Sequence, residues 1–276
     1  MSQPSQAEKT TAFRALHYGD RAFVLPNPWD PGSARLLAGL GFAALATTSA
    51  GYAFSWGRRD GSIGRDAMLR HVAEIVTATD LPTSADLENG FGDEPDTVAE
   101  TIRRAARTGL SGASIEDSAR SAGAPALYDI DLAVDRIRAA AEAAHAATPS
   151  LVLTARAENY LVGKPDLGDT IRRLQAYQEA GADVLYAPGL RTGQDIAAVV
   201  RAVDRPVNVV MGLAGSALTL DALSALGVKR VSVGSALARA AFGALLRAGR
   251  EMREAGTFHF AEDAVPFAEI TALFPA

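Results

Sequence analysis

The feature that most constrains the fold is an alternation of short apolar runs with longer segments of helical periodicity along 276 residues. Most of the runs are preceded by a glycine or proline of the kind that ends a helix. Strands that alternate with helices in this way are typical of parallel sheets with helical crossovers. Eight runs occur, beginning near Ala22, Phe42, Pro82, Gly112, Leu151, Ala182, Pro206 and Arg230.

Eight strand–helix units of about 30 residues each match the usual length of a (β/α)8 barrel. We therefore predict an α/β fold, a (β/α)8 TIM barrel, as a single domain over residues 1–276; a doubly wound open sheet is the alternative. The chain from Phe242 onward predicts a C-terminal helical extension with an apolar tail. Such a tail packs against its own barrel or against a neighbouring subunit.

The composition excludes several classes of protein. The chain has no cysteine, which excludes disulfides, thiolate metal sites and a cysteine nucleophile and agrees with a reducing cytoplasm. A net charge of −5 with scattered basic residues gives no footprint for nucleic acid. Residues 1–11 are polar, and no apolar run is long enough to cross a bilayer. We expect a cytoplasmic protein that contacts neither nucleic acid nor membrane.

Acidic residues are concentrated where the predicted strands end, which is where barrel enzymes carry their catalytic groups. Asp86 and Glu88 are two residues apart in the third run, so an extended strand would point both to the same side. Glu116 ends the fourth run, and Asp60 lies in the loop after the second. Converging carboxylates repel one another unless a cation is bound, and ligands that are all oxygen suit Mg²⁺. The sequence therefore predicts a magnesium site at the barrel mouth.

The alternative for the acids after the third run is that they cap a helix. Asp93 and Glu94 directly precede Pro95, a residue that often occupies the first helical position. In the same way Asp30, which precedes Pro31, is predicted to cap a helix near the N-terminus. Capping explains these residues, but it does not explain acids that fall within a strand.

Arg156 closes the fifth run, where its guanidinium could hold a substrate carboxylate by two hydrogen bonds. The alternative is an ion pair with Glu116 or Glu158, and both roles are compatible. Asn208 is an amide in the otherwise apolar seventh run and predicts either a substrate contact or a satisfied buried side chain.

Small residues follow the second run, Thr48-Ser49-Ala50-Gly51. They predict either backbone N–H groups that bind a carboxylate or an ordinary turn. The longer gaps after Thr48 and after Asp117 are candidate active-site loops.

Several stretches resemble, in order, the isocitrate lyase/phosphoenolpyruvate mutase superfamily over nearly the whole chain. They include TTSAGYAFSWGRRDG (47–61), SADLENGFGD (84–93), GASIEDS (112–118) and LTARAEN (153–159). The resemblance implies a (β/α)8 barrel and a homo-oligomer, a dimer or a tetramer, whose neighbours exchange a C-terminal helix. It implies that Mg²⁺ is held, directly or through water, by Asp60, Asp86, Glu88 and Glu116. It further implies substrate contacts with Thr48, Ser49, Ala50, Gly51, Arg156 and Asn208.

Two departures from the family narrow the chemistry. The loop that carries a catalytic cysteine in isocitrate lyases reads SARSAGAPALYD (118–129) here, with no Cys, His or Lys, and Ala187-Pro188-Gly189 stands where relatives place Glu or His. The sequence therefore predicts a Mg²⁺-dependent carbon–carbon lyase for a small 2-oxo or 2-hydroxy dicarboxylate, with Arg156 and Glu116 as catalytic residues. For retro-aldol cleavage the candidate bases are Glu116, Tyr52, Tyr128 or a hydroxide on the metal. The alternatives are phosphorus–carbon chemistry on phosphonopyruvate and a non-catalytic barrel that binds a metabolite.

Overall fold

The computed structural model, which describes residues 3–119, 126–213 and 218–274, contains a sheet of eight parallel strands. The strands are β1 (Phe23–Leu25), β2 (Leu45–Ala46), β3 (Thr83–Asp86), β4 (Gly112–Glu116), β7 (Val152–Arg156), β8 (Val184–Tyr186), β9 (Val207–Val210) and β10 (Arg230–Ser232). A separate antiparallel hairpin joins β5 (Ser118–Ala119) to β6 (Ala126–Leu127). The order across the large sheet is β1-β10-β9-β8-β7-β4-β3-β2, which follows the chain around a circle.

Hydrogen bonds between the ends of β1 and β2 bring the two edges of this sheet together. Ala46 N donates to Pro26 O at 3.0 Å, and Asn27 Nδ2 donates to Thr47 O at 3.0 Å. A sheet whose first and last strands adjoin is a barrel, so the predicted (β/α)8 TIM barrel is confirmed and the doubly wound alternative is wrong.

Helices follow most of the strands and cover the outside of the barrel. Residue Asp30 caps the second helix as predicted, because its Oδ1 accepts a hydrogen bond from Ser33 N at 2.6 Å. The helices are α1 (Gln6–Leu16), α2 (Pro31–Gly39), α3 (Ser49–Ser55), α4 (Arg65–Ala78), α5 (Pro95–Ala106), α6 (Ile130–Ala146), α7 (Leu167–Glu179), α8 (Gly193–Ala202), α9 (Leu220–Ala225), α10 (Ala236–Glu254) and α11 (Phe267–Ala272), with a 3-10 turn at His259–Asp263.

Helix α1 closes the N-terminal end of the barrel. The ring of Phe13 is fully buried in a cluster with Leu25, Val152 and Val184. Gly112 is required there, because a Cβ at this position would lie 2.7 Å from the carbonyl oxygen of Val152 and 2.8 Å from the Phe13 ring. The N-terminal end of the barrel is therefore closed by α1.

The C-terminal segment leaves a large apolar surface uncovered. Phe267 is 85% exposed, and further exposed apolar side chains follow one another along the same segment: Leu245, Leu246, Met252, Phe258, Val265 and Leu273. The predicted helical extension is present, with α10 beginning before Phe242, and the exchange of a helix between subunits stays a prediction. In the described part of the chain, no helix has the length and apolar character needed to cross a membrane.

Candidate active site

A cavity of about 190 Å³ opens at the carboxyl ends of the barrel strands, where enzymes of this fold place their active sites. Its charged lining consists of Asp60, Asp86, Arg156 and Arg230. Four further residues of the predicted site also line it, namely Thr48, Ser49, Ala50 and Asn208. The strand-end residues singled out from the sequence are therefore largely brought together in one place.

Arg156 is the centre of a carboxylate cluster. Its Nη1 lies 3.0 Å from Asp86 Oδ1 and 3.2 Å from Glu116 Oε2, and its Nη2 lies 2.8 Å from Glu158 Oε1. The guanidinium also lies over the ring of Tyr186, 5.2 Å from its centroid. The ion pairs with Glu116 and Glu158 that were one interpretation of Arg156 are thus present, and the side chain also faces the cavity.

Burial and neighbouring charges shift the pKa values of the residues in this cluster in opposite directions. Burial alone would lower the pKa of Arg156, but the negative charges of Glu158, Glu116 and Asp86 outweigh it and raise that pKa well above its ordinary value. Burial raises the pKa of Glu158 to about 8, against the opposing pull of Arg156. Arg156 is therefore a permanent cation, whereas burial favours the neutral form of Glu158.

The two acids predicted to share one strand face do not share it. Strand β3 ends at Asp86, and Glu88 has a left-handed φ of 53°, so the chain has already turned away from the strand direction. Asp86 lines the cavity, whereas Glu88 is buried and lines a neighbouring groove with Asn89 and Asp93. The expectation that Glu88 belongs to the strand was wrong, and its part in a metal site stays a prediction.

The capping explanation for the next two acids is also wrong. Helix α5 begins after Glu94, whose side chain makes no capping hydrogen bond. Asp93 Oδ1 instead accepts a hydrogen bond from the hydroxyl of Tyr128. The turn between β3 and α5 is therefore tied to the segment that follows β6 rather than to its own helix.

The small residues after β2 form the start of helix α3 rather than an ordinary turn. Thr48 Oγ1 accepts from Gly51 N at 3.2 Å and caps the helix. Ser49 donates twice, from its N to Asp86 Oδ2 and from its Oγ to Asp60 Oδ1, both at 3.1 Å. Ser49 thereby links the two cavity acids.

Gly51 differs from the other predicted substrate contacts, because it is absent from the lining of the cavity. A Cβ at this position would lie 2.6 Å from Thr48 Cγ2 and 3.1 Å from Trp29 Cβ. Close packing of α3 accounts for this glycine.

The donor set at the cavity fits a magnesium ion held by few protein ligands. Among the described residues, no group of three or more His, Cys, Asp and Glu side chains is arranged to hold a metal. Mg²⁺ keeps several of its waters and is commonly bound by one or two carboxylates plus substrate oxygens. Asp86 and Asp60 are the carboxylates that could hold such an ion at the cavity, whereas Glu88 and Glu116 are outside its lining.

Asn208 is held by its neighbours on the barrel wall. Its Oδ1 accepts from Arg230 Nε at 2.9 Å, and its Nδ2 donates to Ser232 Oγ at 3.0 Å. A substrate contact and a structural role are therefore compatible for this amide, because its hydrogen bonds are satisfied by neighbours and it also lines the cavity. Arg230 and Tyr186 were not predicted from the sequence as site residues; the signal for Arg230 was a charge at the start of an apolar strand.

The candidate bases lie away from the cavity lining. Tyr52 stacks on His71, with ring centroids 3.7 Å apart, and burial raises the pKa of Tyr128 to about 12. Glu116 is buried and paired with Arg156. Of the candidate loop after Asp117, residues 120–125 lie outside the described part of the chain.

The sequence and fold of the chain are similar to those of several known proteins. Residues 13–253 match the family model described as phosphoenolpyruvate phosphomutase. A solved structure from Burkholderia cenocepacia J2315, assigned as a lyase/mutase, is 62% identical with a TM-score of 0.95, covering 98% of this chain and 97% of that one. An oxaloacetate decarboxylase of Pseudomonas aeruginosa is 31% identical over 92% of this chain and 89% of its own length. A phosphonopyruvate hydrolase, solved with oxalate and Mg²⁺, is 27% identical with a TM-score of 0.84, covering 96% of this chain and 94% of that one.

Proposed function

Because the chain belongs to the phosphoenolpyruvate phosphomutase family, within the isocitrate lyase/phosphoenolpyruvate mutase superfamily, we propose that it is a Mg²⁺-dependent carbon–carbon lyase. Its substrate is a small 2-oxo or 2-hydroxy dicarboxylate, which is cleaved through the enolate of a pyruvate-like fragment. The observation that carries the proposal is one cavity that combines Asp60 and Asp86 with the guanidinium of Arg156. We expect the enzyme to act in the cytoplasm.

The size and lining of the cavity favour a small, charged substrate. The cavity volume of about 190 Å³ is smaller than the roughly 300–1,000 Å³ of pockets that bind drug-sized ligands. Arg156 offers a planar set of N–H donors that suits a carboxylate, and the guanidinium lies over the ring of Tyr186. Asn208, Thr48 and Ser49 add neutral hydrogen-bonding groups around the same space.

Decarboxylation is the cleavage that these residues support best. When a 2-oxo dicarboxylate loses CO₂, the bonding electrons pass to the carbonyl oxygen, and the resulting enolate later takes up a proton. A bound Mg²⁺ would supply positive charge for that developing oxygen anion. Retro-aldol cleavage also needs a base for the hydroxyl proton, and the described lining of the cavity contains no His, Cys or Lys.

A panel of substrates tests the proposal. The purified protein is incubated with Mg²⁺ and oxaloacetate, methylisocitrate, 2,3-dimethylmalate or phosphonopyruvate, and pyruvate and inorganic phosphate are measured. We expect turnover of oxaloacetate that disappears with EDTA. Free Mg²⁺ itself accelerates this decarboxylation, so the matched control is Asp86→Asn at the same Mg²⁺ concentration.

Phosphate release from phosphonopyruvate would support phosphorus–carbon chemistry instead. Binding without turnover of any of the four would overturn the lyase proposal in favour of a non-catalytic barrel.

The exposed C-terminal segment supports assembly with further copies of the same chain. Phe267, Leu245 and Leu246 are all more than half exposed in the isolated chain, although their apolar surfaces favour burial. We expect a dimer or a tetramer, formed by contacts or exchange of this segment. Light scattering should show such an oligomer, and Leu246→Glu should shift it toward the monomer, whereas Tyr18→Glu, an exposed control in another part of the chain, should not.

A further inference from the structure

Arg230 is a buried cation at the wall of the cavity, and its hydrogen-bonding partners are neutral groups. The residue is 3% exposed. Its Nε donates to Asn208 Oδ1 at 2.9 Å and its Nη2 donates to Thr154 Oγ1 at 3.0 Å. In the described ranges of the chain, no carboxylate forms an ion pair with it. Burying a charge without a counter-charge costs several kcal/mol, so an anion in the cavity would relieve that cost.

The third partner of Arg230 is also uncharged. His17 Nδ1 lies 2.9 Å from the carbonyl oxygen of Phe13, so it carries the proton and donates to that oxygen. His17 Nε2 then accepts from Arg230 Nη1 at 3.3 Å. Burial lowers the pKa of His17 to about 3, with a further lowering from the positive charge of Arg230, so the imidazole is neutral at physiological pH. Burial lowers the pKa of Arg230 itself to about 10, which leaves it charged under the same conditions.

The hydrogen bond from Arg230 also fixes the orientation of Asn208. An amide whose Oδ1 accepts from a guanidinium must present its NH₂ group on the opposite side, where Nδ2 meets Ser232 Oγ. The two residues are direct neighbours, because Arg230 pairs with Asn208 in the register of β10 and β9. Both line the cavity.

The charge of Arg230 changes the balance of positive and negative charges in the lining of the cavity. The other charged residues of its lining are Asp60, Asp86 and Arg156, so the protein without Arg230 has more negative than positive groups there. The two acids are the groups that would neutralise a divalent ion. With a divalent ion bound, these lining groups carry one net positive charge without Arg230 and two with it, so Arg230 brings the charge of the loaded cavity to that of a dianion's counterpart.

We propose that Arg230 is a positioning residue that fixes the carboxamide of Asn208 and supplies uncompensated positive charge, so that the cavity selects dianionic ligands over monoanionic ones. This inference rests on the proposed binding of small carboxylates at the same cavity.

Calorimetric binding of oxalate, a dianion, and oxamate, a monoanion of the same shape, tests both parts at a fixed excess of Mg²⁺. Arg230→Met should weaken both ligands and reduce the oxalate-to-oxamate affinity ratio at least tenfold. Arg230→Lys keeps the charge but lacks the planar set of donors, so it should weaken both ligands severalfold and keep the ratio. Arg21→Met, at an exposed site, should change neither. An unchanged ratio in Arg230→Met would overturn the selectivity, and wild-type affinities in Arg230→Lys would overturn the positioning role.

A second pair of variants keeps the proposal testable if Arg230→Met does not fold. Thr154 contacts Arg230 but is absent from the cavity lining. Thr154→Asp places a carboxylate beside the guanidinium and should reduce the oxalate-to-oxamate ratio at least tenfold, whereas Thr154→Val should keep it. A wild-type ratio in a folded Thr154→Asp protein would overturn the proposal. Calorimetry measures binding without turnover. Failure of the lyase proposal in the substrate panel therefore leaves the proposal for Arg230 standing. Failure of the proposal for Arg230 likewise leaves the lyase proposal standing.

Discussion

Arg156 Nη1 lies 3.0 Å from Asp86 Oδ1, although the two residues stand on strands that are separated by β4. The contact spans the mouth of the barrel, and the same guanidinium reaches Glu116 and Glu158. Removing the cation would leave two acids at strand ends and a third just after β7 facing one another with little water to screen them. The site thus depends on Arg156 to balance the charge of these carboxylates.

Arg156→Met should lower the free energy of unfolding by about 3–5 kcal/mol, because it breaks buried ion pairs and leaves their carboxylates uncompensated. Arg156→Lys should keep much of that stability, yet it should raise KM at least tenfold, because an ammonium cannot bridge several carboxylates and a substrate. Urea unfolding and steady-state kinetics measure the two effects. The matched control is Arg172→Met, which removes an exposed arginine. A wild-type KM in Arg156→Lys would rule out the carboxylate clamp.

Asp86→Asn should reduce Mg²⁺-dependent turnover at least 100-fold, because it removes the negative charge of an acid that lines the cavity. Asp60→Asn should weaken Mg²⁺ affinity by about 10–100-fold, the range typical of residues that support a metal site. Steady-state kinetics measure the loss of turnover and calorimetric titration with Mg²⁺ measures the affinity of both variants, with the exposed Asp66→Asn as the control. Glu88→Gln should weaken Mg²⁺ affinity if the ion is held by the four carboxylates that the family implies. It should leave the affinity unchanged if only two carboxylates hold the ion. If Asp86→Asn bound Mg²⁺ like the wild type, neither arrangement would stand.

The alternation of apolar runs predicted the strands well, because a barrel strand buried on both faces needs an almost continuous run of apolar residues. Strand β4, for example, begins at the predicted Gly112. The turn after β3 could not be predicted from the same rule. Glu88 and Phe91 both have left-handed backbone angles, which non-glycine residues rarely adopt, so the end of the strand at Asp86 could not be predicted from the residue types.

The polar contacts that determine the site depend on groups far apart in the chain. Arg230 and Thr154 are 76 residues apart, and only the closed barrel brings them within hydrogen-bonding distance. A sequence shows that each side chain could donate or accept, but the circular order of the strands decides which partners meet. Arg156 was predicted from the sequence as a site residue because it ends a strand, whereas Arg230 begins one and lies deeper in the barrel.

Tyr177→Phe should lower the free energy of unfolding by about 1–3 kcal/mol, because it removes a donor from a buried carboxylate. Asp117 is 1% exposed and accepts from the hydroxyl of Tyr177 and from Arg173 Nη1, the latter at 3.1 Å. Glu158 N also donates to it at 2.8 Å, so Asp117 ties the end of β4 to the segment after β7. Urea unfolding checks the change, with Tyr18→Phe on the surface as the control. Equal stability of the two variants would show that this hydrogen bond contributes nothing measurable.

His71→Phe should make the protein more resistant to acid. Burial lowers the pKa of His71 to about 4, so between about pH 6.5 and pH 4 the unfolded chain binds more protons than the folded one. The stabilisation is complete above pH 6.5 and is lost as the pH falls through that window. Phenylalanine keeps the stack on Tyr52, whose ring centroid is 3.7 Å away, and it removes an Nε2 that has no hydrogen-bond partner among the described residues.

Between pH 7 and pH 4.5 the His71→Phe variant should therefore lose about 2–3 kcal/mol less of its unfolding free energy than the wild type. Urea unfolding at both pH values measures this difference. His259→Phe provides the control, because it removes a histidine whose side chain is 75% exposed. His17 is unchanged in all three proteins, and it contributes the same acid loss to each. A decline in His71→Phe as steep as that in His259→Phe would show that His71 is not the group that takes up the proton on unfolding.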